Sequence, residues 1–167
     1  LKSEDNDNVL LGEVWEDASN KISYGQRRKY FLGDGLDSTM NYPVRTLLLD
    51  FAGYNNSSFD FTEGIMSLME NYPPENFYGA LNLIGSHDRE RVMTALGAES
   101  DYQSAYDRVK MISALEYCLP GIPCIYYGDE AAMTGKPDPE NRSGFIWDKE
   151  NKGMQAHYRG LGVIYRE

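Results

Sequence analysis

Apolar positions along the 167 residues fall into short runs separated by longer amphipathic stretches. Val9-Leu10-Leu11 is the first run and ends in Gly12-Glu13-Val14-Trp15, which reads as a strand giving way to a loop. A long polar loop, with room for a helical turn, continues through Tyr30. A short strand is predicted over about 37–41, and Pro43 suits the first turn of a helix. Val44, Leu47, Leu48 and Phe51 recur at i, i+3, i+4 and i+7, with Gly53 as the stop. Thr62 is read as the cap of a second helix that carries Ile65, Leu68, Met69 and Tyr72 and ends at Pro73-Pro74. Leu81 to Ile84 reads as a buried strand that meets Gly85 and delivers Ser86, His87 and Asp88 where the backbone leaves the sheet. A short helix over 91–96 and a longer one over about 102–119 follow, the second with Val109, Ile112, Leu115 and Leu119 as its inward stripe. Pro120-Gly121 breaks it; 122–127 reads as a fourth strand, about 128–144 as a Gly/Pro/Asp-rich loop, and a last helix starts near Lys152. Strands joined by helices predict an α/β fold with parallel pairing through right-handed crossovers. Four such units make half of an eightfold barrel.

Composition narrows the partners. With 41% apolar and 13% aromatic residues the chain is globular, large enough for one core yet short for a complete (β/α)8 barrel of ~250 residues. No apolar run approaches the ~20 residues of a membrane span, and the first residues are too acidic for a signal peptide. A net charge of -10 argues against nucleic acid as a partner and leaves neutral ligands open. Thirteen Tyr and two Trp suit stacking on sugar rings as well as core packing. Cys118 and Cys124 fit neither a CxxC nor a zinc spacing, so they read as buried free thiols in a reducing compartment, cytoplasmic rather than secreted. Sequons at Asn55, Asn56 and Asn141 are too common to decide anything. Residues 1–8 are polar and read as a linker or the remnant of a preceding helix; a start at Leu1 rather than Met points to a processed or excised piece.

Two carboxylates stand in equivalent places, Glu13 after the first strand and Asp88 after the third. On parallel strands both project from the carboxyl-terminal rim, where α/β folds place their chemistry. Paired carboxylates suit glycosidic cleavage, in which one protonates the leaving oxygen and another acts as nucleophile or stabilises the cationic sugar. A carboxyl at the end of an apolar strand beside Trp15 is in a setting that favours the protonated form.

Gly12-Glu13-Val14-Trp15, Met40-Asn41-Tyr42-Pro43, Leu83-Ile84-Gly85-Ser86-His87-Asp88, the run from Pro120 to Glu130, and Asp138-Pro139-Glu140-Asn141-Arg142 together resemble the α-amylase family of glycoside hydrolases. Within it the likeness is closest to the neopullulanase, cyclomaltodextrinase and maltogenic amylase branch. The resemblance implies that 9–167 form a parallel (βα)4 half-barrel, strands five to eight of a TIM (β/α)8 barrel. It makes Glu13 the general acid/base and Asp88 the carboxylate that binds sugar hydroxyls and helps distort the ring. His87 would bond the same sugar. Trp15 would line the cleft or pack in the core, and Asp138 with Arg142 would sit near donor-side sugars or simply hold their loop by an ion pair. Tyr42, Tyr126 and Tyr127 read as core, and Arg89 stands where relatives commonly have Thr.

The family's nucleophilic Asp and its partnering Arg belong to the strand before Glu13 and are not found here. The expectation is therefore an inactive piece of a retaining α-glucan hydrolase, acting on maltooligosaccharides or cyclodextrins. No cofactor is expected; calcium is allowed in the parent without support from this stretch. The piece is expected to self-associate through its open edges, and a homodimeric parent is compatible with the resemblance. The alternative is a non-catalytic relative such as a transporter heavy chain, which would have lost active-site carboxylates.

Overall fold

The computed structural model describes residue 4, residues 7–32 and residues 35–166, so much of the stretch read as a linker lies outside the described residues. Strand β1 (Leu11–Gly12) runs parallel to β4 (Ser38–Thr39), with Leu11 opposite Ser38. Strand β5 (Leu81–Leu83) runs parallel to β6 (Ile122–Cys124), with Leu81 opposite Ile122. A single parallel bridge, Met40 to Leu81, joins the two pairs, and the Asn41 amide donates to the Leu81 carbonyl at 2.8 Å. The strand signals in the sequence are thus real but shorter than read: the fourth ends at Cys124, not Tyr127.

Side chains stitch these short strands together. Asn41 Nδ2 donates to Asn82 Oδ1 at 2.9 Å, and Asn82 Nδ2 donates to the Pro120 carbonyl at 3.0 Å. Both asparagines are buried, so each of these bonds satisfies a group that water cannot reach. Asn41 also caps α1 (Tyr42–Ala52), its Oδ1 accepting from the Val44 amide.

The connection from β1 to β4 departs from the expectation of a loop with a helical turn. It holds an antiparallel hairpin, β2 (Ile22–Ser23) and β3 (Gln26–Arg27). Tyr24 and Gly25 turn it, both at positive φ (53° and 72°), the geometry a two-residue hairpin loop demands. Its base is tied to the far end of the helix that closes at Asn71, because the Ala18 amide donates to the Tyr72 hydroxyl at 3.0 Å and Asn71 Nδ2 to Asp17 Oδ2 at 2.9 Å.

Helix α2 (Ser58–Asn71) is capped by Ser57 rather than Thr62. Ser57 and Asp60 form a reciprocal capping box, the stronger start signal, while Thr62 sits inside and bonds back to the Ser58 carbonyl. The two prolines that end α2 also start a short α3 (Pro74–Tyr78). Helices α4 (Val92–Ala95), α5 (Tyr102–Cys118) and α6 (Lys152–Ile164) follow the pattern read from the sequence, and short 3-10 turns at Asp129–Ala131 and Glu140–Arg142 order the long loop. Leu48, Met93, Val109, Ile112 and Met154 fill the layer between helices and strands. The thiols are not in it: Cys118 is exposed and Cys124 half-buried, because α5 turns its last residue outward. Among the described residues no helix is long and apolar enough to cross a membrane.

Candidate active site

Glu13 leaves the end of β1, and His87 and Asp88 leave the end of β5. Parallel pairing therefore brings all three to one rim, and their side-chain donor atoms lie within 4.8 Å of one another. Asp88 Oδ1 is 3.3 Å from His87 Nε2 and accepts from an Arg142 guanidinium nitrogen at 3.1 Å. Arg142 Nε also donates to the His87 carbonyl at 3.0 Å and lies 3.4 Å from Asp138 Oδ1. Asp138 is itself 70% exposed, so its contact with Arg142 is a surface pair.

The backbone of this segment is pinned from residues far away in the chain. Asn141, 1% exposed, donates through Nδ2 to the carbonyls of His87 (2.7 Å) and Arg89 (2.8 Å). Its amide is thereby committed, which removes Asn141 as a glycosylation acceptor in this fold. Buried Arg45 donates from Nε to the Ile84 carbonyl at 3.0 Å. Arg91, fully buried, donates to the Tyr127 carbonyl at 2.5 Å and faces the rings of Tyr126 and Tyr127.

Behind the segment lies a buried carboxylate, Asp129. A Cβ on Gly85 would collide with it, so Gly85 is the residue that lets Asp129 approach the strand. Burial raises Asp129 from 3.8 to about 7, against the opposing pull of Arg91. Glu116, whose Oε1 accepts from the Cys124 amide, is likewise raised by burial.

Glu13 is held less firmly. The Tyr42 hydroxyl donates to Glu13 Oε1 at 3.4 Å, and its oxygen lies 3.2 Å from Ser86 Oγ. Tyr42 is 3% exposed, and burial raises its hydroxyl above the usual tyrosine value. Trp15 stacks on the Tyr42 ring (centroids 5.0 Å, 19° between planes) and remains 41% exposed, with the Arg89 guanidinium 4.3 Å from its own ring centre. The apolar enclosure expected around Glu13 is not present among the described residues, where Glu13 is exposed.

The structure thus gathers Glu13, His87, Asp88 and Arg142 into one cluster, sets Trp15 beside it and leaves Asp138 at its margin. Sequence reading gave Asn141, Arg45 and Ser86 no role in holding the site. Tyr42 is buried, as its reading as core implies, and its hydroxyl also reaches the acid. A His nitrogen and two carboxylates are donors a divalent cation accepts, and in this cluster Arg142 takes one lone pair of Asp88 Oδ1.

Residues 1–160 match the family model described as alpha amylase, catalytic domain. The chain belongs to this family. It is 35% identical over 164 residues to a cyclomaltodextrinase of Geobacillus thermopakistaniensis (strain MAS1), covering 96% of this chain and 25% of that protein. Among solved structures it is similar to the type III pullulan hydrolase from Thermococcus kodakarensis (TM-score 0.87, 30% identity, 99% of this chain and 28% of that one). A second is the ligand-free cyclic alpha-maltosyl-(1→6)-maltose hydrolase from Arthrobacter globiformis (TM-score 0.82, 30% identity, 97% and 34%). The chain thus spans about a quarter of the curated relative's length, and its fold is derived from the TIM barrel.

Proposed function

We propose that this chain is the second half, strands five to eight, of the catalytic barrel of a retaining α-glucan hydrolase of the cyclomaltodextrinase and neopullulanase type. The observation that carries the reading is the convergence of Glu13, His87 and Asp88 at the end of parallel strands, with Asp88 fixed by Arg142. Glu13, exposed and free to meet a substrate oxygen, protonates the leaving group and later activates water. Asp88 and His87 hold hydroxyls of the sugar that becomes cationic, and the fixed negative charge of Asp88 favours that cation. Trp15 and the Asp138–Arg142 pair border the cleft. Acid/base cleavage of this kind draws on no cofactor.

A retaining double displacement also needs a carboxylate nucleophile, and no third carboxylate joins the cluster among the described residues. We therefore assign the nucleophile to another part of a larger protein, consistent with the chain's quarter-length match. By itself the 167-residue chain is inactive. It also self-associates, because β1 and β6 each pair on one side only among the described residues and Leu11, Ile122 and Ile125 stand exposed beside those edges. Light scattering that reports a monomer would contradict the second statement.

The reading is tested with γ-cyclodextrin and pullulan, comparing the full-length protein with the 167-residue chain. Hydrolysis by the first alone is expected. Turnover by the short chain would place a nucleophile within it, and an inert full-length protein would end the hydrolase reading.

A further inference from the structure

The ends of β1 and β5 are joined by side chains to which the reaction above gives no part. Glu13, Val14 and Trp15 follow β1 in turn; Val14 is buried, while Glu13 and Trp15 are exposed. Both exposed residues rest on Tyr42. Its hydroxyl reaches Glu13 Oε1 at 3.4 Å, and its ring stacks on Trp15 with centroids 5.0 Å apart and 19° between planes. From the end of β5, Arg89 sets its guanidinium 4.3 Å from the Trp15 ring centre. Ser86 Oγ lies 3.2 Å from the Tyr42 hydroxyl. The contacts close a circuit, Ser86 to Tyr42 to Trp15 to Arg89, and Ser86 and Arg89 flank His87 and Asp88 in the chain.

One side of this circuit is fixed and the other is not. The Arg89 carbonyl accepts from buried Asn141 at 2.8 Å, and Arg91, two residues on, is itself fully buried. The base of the Arg89 side chain is therefore held by the core. Strand β1 is two residues long and pairs with β4 alone among the described residues, so the stretch from Glu13 to Trp15 leaves a short and lightly held strand. A guanidinium over an indole sets a cation on the ring's negative face, and the flat fork of arginine matches the flat ring. Arg89 is exposed, and its charge lies where it can restrain Trp15 without entering the core.

We propose that Arg89 is a positioning residue for the general acid. By holding Trp15 against Tyr42 it keeps the Glu13 to Trp15 stretch in register with the segment that carries Asp88. With the roles given above to Glu13 and Asp88, on which this inference rests, proton donor and stabilising charge then meet the same glycosidic bond. Arg89 touches no reacting atom; it acts through Trp15.

The test uses the full-length protein and two substrates of similar shape, phenyl α-maltoside and 4-nitrophenyl α-maltoside. Phenolate leaves poorly without a proton, whereas nitrophenolate needs little help, so only the first depends strongly on a well-placed acid. Arg89→Gln is expected to lower kcat for the phenyl compound about fivefold, the scale of a cation–π contact at an exposed site, with KM and the nitrophenyl rate within about twofold. Arg89→Lys, which keeps the charge but not the plane, is expected to recover part of the loss. Added to Glu13→Gln, Arg89→Gln should cost nothing further, because the acid it positions is already gone. The nitrophenyl rate also reports that each variant is folded. Equal losses on both compounds, no loss on either, or a further loss in the double variant would overturn the assignment of Arg89. An unsubstituted protein inert on both, or a Glu13→Gln variant that loses equally on both, would instead refute the reading of the reaction, and this inference with it.

Discussion

Asp88 stands at the end of β5, which has β6 on one side and the Met40 bridge on the other, whereas Glu13 stands at the end of β1, paired only with β4 among the described residues. Around Asp88 the carbonyls of Ile84, His87 and Arg89 are each taken by a side chain from elsewhere in the chain. Around Glu13 one hydroxyl, 3.4 Å away, is the named partner of the carboxylate. The difference matches two kinds of work. An electrostatic stabiliser acts by being in place before charge develops, so over-determined geometry serves it. A general acid must meet the leaving oxygen and pass a proton both ways, so an accessible carboxylate with few fixed bonds serves it better.

The largest effect is expected at the fixed end. Asp88→Asn in the full-length protein should lower kcat by about 10²–10³ while circular dichroism stays unchanged, the scale on which a preorganised charge acts. Activity within tenfold of the original would remove Asp88 from the role given to it. Next is the anchor itself: Asn141→Ala deletes two buried hydrogen bonds, strands the Arg89 carbonyl and leaves the His87 carbonyl to Arg142 alone. A stability loss of about 2–3 kcal/mol by chemical denaturation is expected. Glu13→Gln should change stability by less than about 0.5 kcal/mol, as substitutions at exposed sites do. Similar losses from both would erase the contrast between the two strand ends.

A third test concerns Asp129, packed behind the fixed end. Burial lifts its value from 3.8 to about 7, so the folded chain keeps a proton that the unfolded chain has already released. Its contribution therefore destabilises the fold as pH rises between those values, by up to about 1.4 kcal/mol per pH unit. Asp129→Asn should flatten the fall in Tm between about pH 4.5 and about pH 7.5; an unchanged slope would mean that another group carries it. The smallest effect is at the Glu13 end, where Tyr42→Phe removes a long bond to Glu13 and the contact with Ser86. A loss of no more than about threefold in kcat is expected, and a hundredfold loss would show that Glu13 is held as firmly as Asp88.

Both carboxylates were legible because each follows a short apolar run, Val9 to Leu11 or Leu81 to Ile84, and a strand end is a local signal. The α5 stripe was equally plain, with Val109 and Ile112 fully buried as its spacing implied. What escaped was non-local. Asn141 is 54 residues from His87, and nothing around it distinguishes a carbonyl anchor from a chance sequon. Arg45 lies on a helix whose stripe reads as apolar, yet its guanidinium reaches across to Ile84. The hairpin was missed because its strands are two residues each, too short for alternation to register, and Tyr24-Gly25 is a weaker turn signal than Asn-Gly. The second helix starts at Ser57 rather than Thr62 because Ser57-x-x-Asp60 forms a capping box that a single threonine does not.

The central claim is that Glu13 delivers the proton to the leaving group, and leaving-group dependence tests it most directly. In the full-length protein, kcat/KM of Glu13→Gln should fall by about 10²–10⁴ for maltotetraose, which needs protonation, and far less for α-maltosyl fluoride, whose fluoride departs without it. The same large loss on both substrates would contradict that role for Glu13.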